Sequence, residues 1–199
     1  MWYFNGEIIK TPKTMVISDI THPKAIFRDS DMLASLGIKP YREVTPNTRY
    51  YSRGELTLDT SGDEVVATYA GADRDVDTLK ASMLDTINSQ VASKQGAIDW
   101  YWARADKGGT AVPSAISTYA TTIYSEQATK ESEVAALDTL AKIIEYEARA
   151  YTEVRKVDNG DGTYGPTTES SAVKINMLSH WTANPTDEVD PAFVSLTAD

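Results

Sequence analysis

The sequence predicts an α+β fold: a small, antiparallel, β-rich N-terminal part, then a long helical hairpin with coiled-coil character, then an extended C-terminal tail. Short runs of alternating apolar and polar residues extend to about residue 70, and such alternation is typical of half-buried strands. Farther along, apolar residues recur every three or four positions, as they do in helices. The last fifteen residues are acidic and contain prolines, which favours an extended chain. The expected divisions are 1–72, 73–156 and 157–199.

The N-terminal part contains two predicted hairpins. Asn5-Gly6 readily adopts the positive φ values of a type I′ turn, so the residues on either side are expected to pair as short strands. Alternation over 55–59 and 65–69, with a Ser-Gly-Asp turn between them, predicts the second hairpin. A further short apolar strand is expected over 14–17. Together these strands indicate a small, mostly antiparallel sheet.

One short helix is expected near 30–37. Asp29 and Ser30 can cap its first turn, because a short polar side chain at that position accepts hydrogen bonds from free amides. Gly37 stands where a helix commonly ends in a left-handed residue. Pro40 then prevents the helix from resuming.

Longer helices are predicted after the N-terminal part. Apolar residues at four-residue intervals predict a helix from about 75 to 103; they are Leu79, Met83, Ile87 and Val91. Gly96 weakens this helix by about 1 kcal/mol relative to alanine, so the helix can kink or break there. Pro113 is expected at the first position of a second helix. The mainly polar stretch 125–133 fits either a loop or an exposed helical segment.

The clearest helical periodicity follows this polar stretch. Its members are Val134, Leu137, Ala141, Ile144, Ala148 and Tyr151. Their alternating spacings of three and four residues are the a/d pattern of a coiled-coil seam. The pattern fits either an ordinary helix pair within one chain or a seam shared between identical chains in a dimer or trimer.

The composition limits the class of protein. With 199 residues, 41% of them hydrophobic and 24% charged, the chain lies in the globular range. It has no cysteine and only two histidines, which excludes disulfides and cysteine-type zinc sites. Residues 1–53 carry a net charge of +3 and the remainder −13, whereas nucleic-acid affinity depends on basic groups. No apolar run is long enough to cross a bilayer. Neither nucleic-acid binding nor membrane insertion is therefore expected.

The two histidines do not predict a catalytic site. His22 follows Asp19 closely enough for a carboxylate to orient it, but a triad also needs an activated nucleophile, and no Gly-x-Ser-x-Gly segment is present. His180, next to Trp181, is expected to pack at the end of a short helix over 176–181. We expect no catalytic residue and no enzymatic activity.

The Asp- and Gly-rich stretch after residue 157 resembles a calcium loop only superficially. Neither of its possible starting points supplies the full set of ligands with a bidentate glutamate. Residues 157–166 therefore predict a β-turn, and no metal and no cofactor are expected. The tail over 185–199 is expected to become ordered only against a partner.

An unusual aromatic stretch lies between the two predicted helices. Asp-Trp-Tyr-Trp-Ala-Arg is followed by a Gly-Gly-Thr linker, a proline and, six residues later, a tyrosine. The residues concerned are Trp100, Tyr101, Trp102, Arg104, Pro113 and Tyr119. Aromatic side chains bury a large apolar area while one polar tip stays wet, and an arginine in the last turn can bond the free carbonyls there. The stretch fits a clamp between helices, or a surface where Trp100 or Trp102 contacts a partner.

This stretch resembles a signature of small tail proteins of tailed bacteriophages, of the tail-fibre-associated and tail-fibre-assembly type. Residues 36–42 look like a second element of such proteins, and the likeness covers roughly residues 1–125 in the same order. One departure is that Ala120 and Thr121 follow the tyrosine, where relatives often carry arginines. The resemblance carries over no catalytic residue.

The resemblance implies a structural component of a phage tail: a tail-fibre, baseplate or fibre-attachment protein. Such a protein is made in the bacterial host cytoplasm and becomes part of the virion. Its expected partners are other tail or fibre proteins and further copies of itself, as a trimer or dimer. The alternative is a tail-fibre assembly chaperone that is absent from the mature virion, and a third possibility is a glycan-binding or glycan-cleaving tail protein.

Overall fold

A computed structural model describes residues 1–188 and 190–198, so Val189 and Asp199 of the predicted tail lie outside the described residues. Contacts divide the chain into two compact units, Met1–Arg74 and Asp75–Asp199. The described part contains five α-helices and ten strands in three sheets, which confirms the expectation of a mixed helix-and-strand fold. The helices are α1 (Ser30–Ser35), α2 (Val76–Gly96), α3 (Asp99–Asp106), α4 (Ser114–Ala135) and α5 (Leu140–Glu147). The strands are β1 (Trp2–Phe4), β2 (Glu7–Ile9), β3 (Met15–Ile17), β4 (Ile20–His22), β5 (Lys39–Val44), β6 (Tyr51–Asp59), β7 (Val65–Asp73), β8 (Arg149–Asp158), β9 (Tyr164–Ile175) and β10 (Phe193–Ala198).

The first unit contains a five-stranded sheet in the order β2-β1-β5-β7-β6 and a separate β3–β4 hairpin. Strands β1 and β2 pair across Asn5 and Gly6, whose φ values of 46° and 87° are those of the predicted turn. Strands β6 and β7 form the second predicted hairpin. Both hairpin predictions are confirmed.

Helix α1 has the predicted ends. The Asp29 side chain accepts hydrogen bonds from the amides of Asp31 and Met32. Gly37 has a φ of 71°, and the amide of Ile38 donates to the carbonyl of Leu33 at 2.9 Å. The apolar side of this helix joins one of the buried apolar clusters of the first unit, made of Ile9, Ile26, Phe27, Leu33 and Ile38.

Strand β5 was not predicted. It lies between β1 and β7 and runs parallel to β7, so the sheet is not wholly antiparallel. Pro40 lies within β5 opposite Trp2, although a proline removes one ladder donor. Pro40 prevents helix α1 from continuing, and this local effect can be predicted from the sequence. The pairing of β5 with β1 depends on tertiary structure and cannot be predicted in this way.

The helix expected over 75–103 is divided in two. Asp75 caps α2 by accepting a hydrogen bond from the Thr78 amide at 2.8 Å. The helix ends at Gly96, and α3 begins at Asp99. Pro113 was expected at the first position of the next helix, but α4 begins at Ser114 and Pro113 is the residue before it. Helix α4 continues through the polar stretch 125–133 and packs against α2.

The predicted seam is not one continuous helix. Val134 lies in the last turn of α4 and Leu137 in the connection to α5. Ala141 and Ile144 lie in α5, Ala148 is the residue after it, and Tyr151 lies in β8. The Thr139 side chain caps a new helix, α5, by accepting a hydrogen bond from the Lys142 amide. After α5, the β-branched and aromatic residues of β8 favour a strand. The spacing matched a heptad, but these local signals interrupt the helix.

The C-terminal residues form a three-stranded sheet in the order β10-β8-β9. The predicted turn connects β8 to β9 and is confirmed. The sheet begins at Arg149, so the expected division between 156 and 157 falls inside β8. Residues 177–179 form a turn and not the short helix expected over 176–181, because the Asn176 side chain accepts a hydrogen bond from the Leu178 amide at 2.9 Å and so favours a turn. Part of the predicted tail, β10, pairs with β8 of the same chain.

Candidate docking surface

The aromatic stretch forms α3, an eight-residue helix of which no residue is fully buried. Its position follows from the end of α2, because Gly96 is the last residue of that helix and the turn of Ala97 and the buried Ile98 precedes the new one. Asp99 supplies a negative charge in the first turn, which favours the positive end of the helix dipole. The two helices therefore meet at a two-residue break, Ala97 and Ile98.

One side of α3 packs on an apolar cluster between α2 and α4. Tyr101 and Trp102 lie against this cluster, whose buried members are Val91, Ile98, Ile116, Tyr119 and Ile123. Burial also raises the pKa of Tyr119. Pro113, with a ψ of 141°, directs the chain into α4. The structure thus brings Tyr101, Trp102 and Tyr119 together.

The side of α3 that carries Trp100 is more exposed, and Tyr101 is next to both this side and the packed side. The Trp100 side chain is 50% exposed, and its ring lies 3.8 Å from that of Tyr101, centroid to centroid. The Arg104 guanidinium carbon lies 4.9 Å from the Trp100 ring centre and 5.5 Å from that of Tyr101. We call Trp100, Tyr101 and Arg104 the α3 surface. In this surface the cationic Arg104 guanidinium lies over the two aromatic rings.

The end of α3 fixes Arg104. Gly108 has a φ of 77° and donates to the Ala105 carbonyl, while the Gly109 amide donates to the Arg104 carbonyl, each at 3.0 Å. This is a Schellman ending. A Cβ atom on Gly109 would lie 2.7 Å from both Cγ and the carbonyl oxygen of Arg104. The Arg104 side chain was expected to bond the last carbonyls, but it turns to the rings, and its buried Nε has no hydrogen-bond partner in the described structure.

A second polar cluster surrounds Lys130, which is only 5% exposed on α4. Its Nζ donates to the Met177 carbonyl and lies 4.8 Å from the centre of the Trp181 ring. The Trp181 indole nitrogen donates to the Leu178 carbonyl at 2.8 Å. Burial lowers the pKa of Lys130, while Glu126 and Glu133 oppose this shift.

The carboxylates near Lys130 hold neighbouring segments. Glu126 accepts a hydrogen bond from the Thr182 amide at 3.1 Å. Glu133 accepts one from the Tyr146 hydroxyl at 2.9 Å, and burial together with this bond raises the pKa of Tyr146. A cavity of about 210 Å³ lies beside these groups. Sequence reasoning missed this site because the polar stretch around Lys130 has no pattern that predicts burial.

The two histidines belong to different units. His22 is in β4, opposite Met15 of β3. His180 follows the turn after β9, 6.1 Å from the Tyr151 ring. Over residues 1–188 and 190–198, no three histidine or acidic side chains form a group that could hold a metal ion. None of the described helices combines the length and the apolar character needed to span a bilayer.

Comparison of the chain with protein-family models, with curated proteins and with solved structures gives no match.

Proposed function

We propose that this chain is a structural component of a bacteriophage tail, in a fibre, baseplate or fibre attachment, and that it acts by docking to other tail proteins and by self-association. The proposal starts from the resemblance of residues 99–119 to small phage tail proteins. The observation that carries it is the α3 surface, where an exposed tryptophan is stacked in a fixed arrangement.

The α3 surface has the chemistry of an interface anchor. Tryptophan, tyrosine and arginine are the residue types that most often dominate binding energy in protein interfaces. Stacking of Trp100 on Tyr101 removes much of the side-chain freedom that a partner would otherwise have to restrict. Tyr101 and Trp102 attach the helix to the apolar cluster, so the surface is presented by a fixed element.

Arg104 indicates which group a partner would offer. It makes no ion pair with any residue that the structure describes, and its Nε lacks an acceptor. Because Nε is buried, a carboxylate or a main-chain carbonyl of a partner would bond the outer nitrogens of this half-buried guanidinium, and charge-assisted hydrogen bonds of this kind are among the stronger ones. We expect the docking partner to place such an oxygen next to an apolar contact with Trp100.

Self-association is the second part of the proposal. Helices α2 and α4 pack as a helical pair, and a coiled-coil-like association through this pair would make a dimer or trimer. The C-terminal segment offers another surface, since β10 lies at the end of its sheet. Symmetric association of either kind suits a tail component.

Mass spectrometry of purified particles of the phage that encodes the chain tests the proposal. A structural component gives peptides of this chain at a fixed ratio to the other tail proteins. A chain needed for fibre assembly but missing from complete particles would instead be the assembly chaperone. Cleavage of host glycans, or binding to them on an array, would favour the glycan-directed alternative.

A variant pair tests the α3 surface within the same experiment. Trp100→Ala should reduce incorporation into particles at least about tenfold, as expected when an anchor residue is removed. The matched control is Tyr164→Ala, which removes a 38% exposed aromatic side chain of β9, outside this surface and outside α2 and α4. Equal incorporation of both variants would remove the assigned role of α3.

A further inference from the structure

We propose that β10 is the strand through which two copies of this chain associate, each pairing its β10 with that of the other in an antiparallel arrangement. The two three-stranded sheets would then form one six-stranded sheet. Strand β10 pairs with β8 on one side, and no described strand pairs with its other side. The inference rests on the self-association part of the proposed function and is independent of which virus particle contains the chain.

The first argument is the chemistry of the edge. Strands at the end of a sheet expose unpaired amides and carbonyls, and natural proteins protect such strands with charges or proline. Strand β9, at the opposite end of the same sheet, carries Pro166, Glu169 and Lys174. Strand β6, at one end of the five-stranded sheet, carries Arg53, Glu55 and Asp59. Both edges therefore have side chains or a proline that oppose the addition of a strand.

Strand β10 has less protection: of the features that guard an edge, it shows only the register shift between Phe193 and Ser195. Its sequence, Phe-Val-Ser-Leu-Thr-Ala, contains neither a charge nor a proline. Among the described sheet-edge strands of more than three residues, it is the one with this composition. Its first two residues, Phe193 and Val194, are 46% and 45% exposed. An added strand would pair the free backbone groups and cover part of this apolar surface.

The second argument concerns charge: a strand without charged residues can pair with its own copy without placing like charges opposite each other. The chain has a net charge of −10, so two copies repel each other where their acidic surfaces meet. At β10 they can approach without opposing like charges. On the neighbouring strand β8, Glu153 lies opposite Leu196 and Arg155 lies opposite Phe193, and these two charged residues are joined by an ion pair.

The symmetry of an antiparallel pair is compatible with this strand. A two-fold axis perpendicular to the sheet places one residue opposite itself, so directly opposed residues lie an even number of positions apart. With Ser195 on the axis, Val194 faces Leu196 of the other copy. With Leu196 on the axis, Val194 faces Ala198. Both registers oppose only uncharged residues within the strand.

Light scattering of the full chain across about 1 µM to about 1 mM tests the proposal, together with one edge variant. The wild type should reach twice the chain mass of 21.8 kDa. Val194→Lys, at the exposed position of the register shift, where β10 pairs with no residue of β8, should raise the dimer dissociation constant at least about tenfold, since it puts a charge on the edge. The control Ser170→Lys places the same charge on β9, opposite Val154, and should dimerise like the wild type.

Single-cysteine variants give a second readout that does not depend on the stability of the lysine variant. Because the natural chain has no cysteine, one introduced thiol can form a disulfide only between copies. Ser195→Cys or Leu196→Cys, whichever lies on the two-fold axis, should give a covalent dimer on mild oxidation. Ser170→Cys should not.

Three results would overturn the inference: a single-chain mass at every concentration, a closed trimer, or cross-linking at Ser195→Cys and Leu196→Cys no greater than at Ser170→Cys. A chain found in phage particles without this cross-link would leave the proposed function standing and remove only the role of β10. A β10 cross-link in a chain that is absent from particles would support the role of β10 and contradict the proposed function.

Discussion

The ammonium group of Lys130 lies 4.8 Å from the centre of the Trp181 ring and also donates a hydrogen bond to the carbonyl of Met177. One buried charge on α4 therefore contacts two points of the segment that follows β9. Cation–π contacts are strongest where water is excluded, and this lysine is almost fully buried. The segment is held to the helices by a polar contact between residues far apart in sequence.

Replacing this lysine should destabilise the protein. Lys130→Ala removes a buried side chain and leaves the Met177 carbonyl without its donor, so we expect the free energy of unfolding to fall by about 2–4 kcal/mol. Urea denaturation measures the loss. The matched control is Lys80→Ala, since Lys80 donates to the Ala135 carbonyl at 2.8 Å in an exposed contact. That change should cost less than about 1 kcal/mol, and equal losses would contradict the assigned role of Lys130.

What the sequence predicts well is set by neighbours along the chain. The Asn5-Gly6 turn and the Asp29 cap need only a few consecutive residues, and both are found. Strand β5 depends on partners elsewhere in the chain and was missed. The same division holds for the sites, because the aromatic stretch of α3 stands out in the sequence whereas the burial of Lys130 depends on packing by a distant segment.

Alkaline pH should weaken the folded state through its buried tyrosines. Burial and the hydrogen bond to Glu133 raise the pKa of Tyr146, and burial raises the pKa of Tyr41 and of Tyr119. Above about pH 10 the unfolded chain loses phenolic protons that the folded chain keeps. The free energy of unfolding therefore falls with rising pH, by up to about 1.4 kcal/mol per pH unit for each such group.

Tyr146→Phe isolates this contribution. Stability measured from pH 9 to pH 12 should fall less steeply in this variant than in the wild type. Lys130 acts in the opposite direction, because its lowered pKa lets the folded chain lose that proton first as the pH rises. Tyr124→Phe, at an exposed position, should keep the wild-type slope. An unchanged slope in Tyr146→Phe would contradict the prediction.

The two tight hairpins of the first unit allow an exchange of turn residues. Ser18 and Asp19 connect β3 to β4 with φ values of 50° and 63°, although neither is glycine. Replacing them by Asn-Gly should raise the free energy of unfolding by about 1 kcal/mol, because left-handed backbone is costly for other residues. Placing Ser-Asp at Asn5 and Gly6 should lower it by a similar amount. Thermal unfolding of both double variants checks the opposite signs.

Helix α5 offers a test of how the interrupted seam packs. Ile143 is fully buried, whereas Ile144, which the heptad pattern selected, is half-buried. Ile143→Asp should therefore cost more than about 3 kcal/mol, or prevent folding, since it places a carboxylate in the core. Ile144→Asp should be clearly milder in the same urea titration. The reverse order would favour a seam that includes Ile144.

Two glycines near α3 should respond to alanine with opposite signs. In Gly109→Ala the new Cβ would lie 2.7 Å from the Arg104 carbonyl oxygen, so the backbone must shift, and we expect a loss of about 1–3 kcal/mol. In Gly96→Ala nothing lies within 4 Å of the new Cβ, and the last residue of α2 gains helix propensity, for a gain of up to about 1 kcal/mol. Urea denaturation gives both values. If Gly109→Ala also frees Arg104, the tryptophan fluorescence of the folded protein should change in that variant and not in Gly96→Ala, whereas identical spectra would show that the Schellman ending does not position the guanidinium over the Trp100 ring.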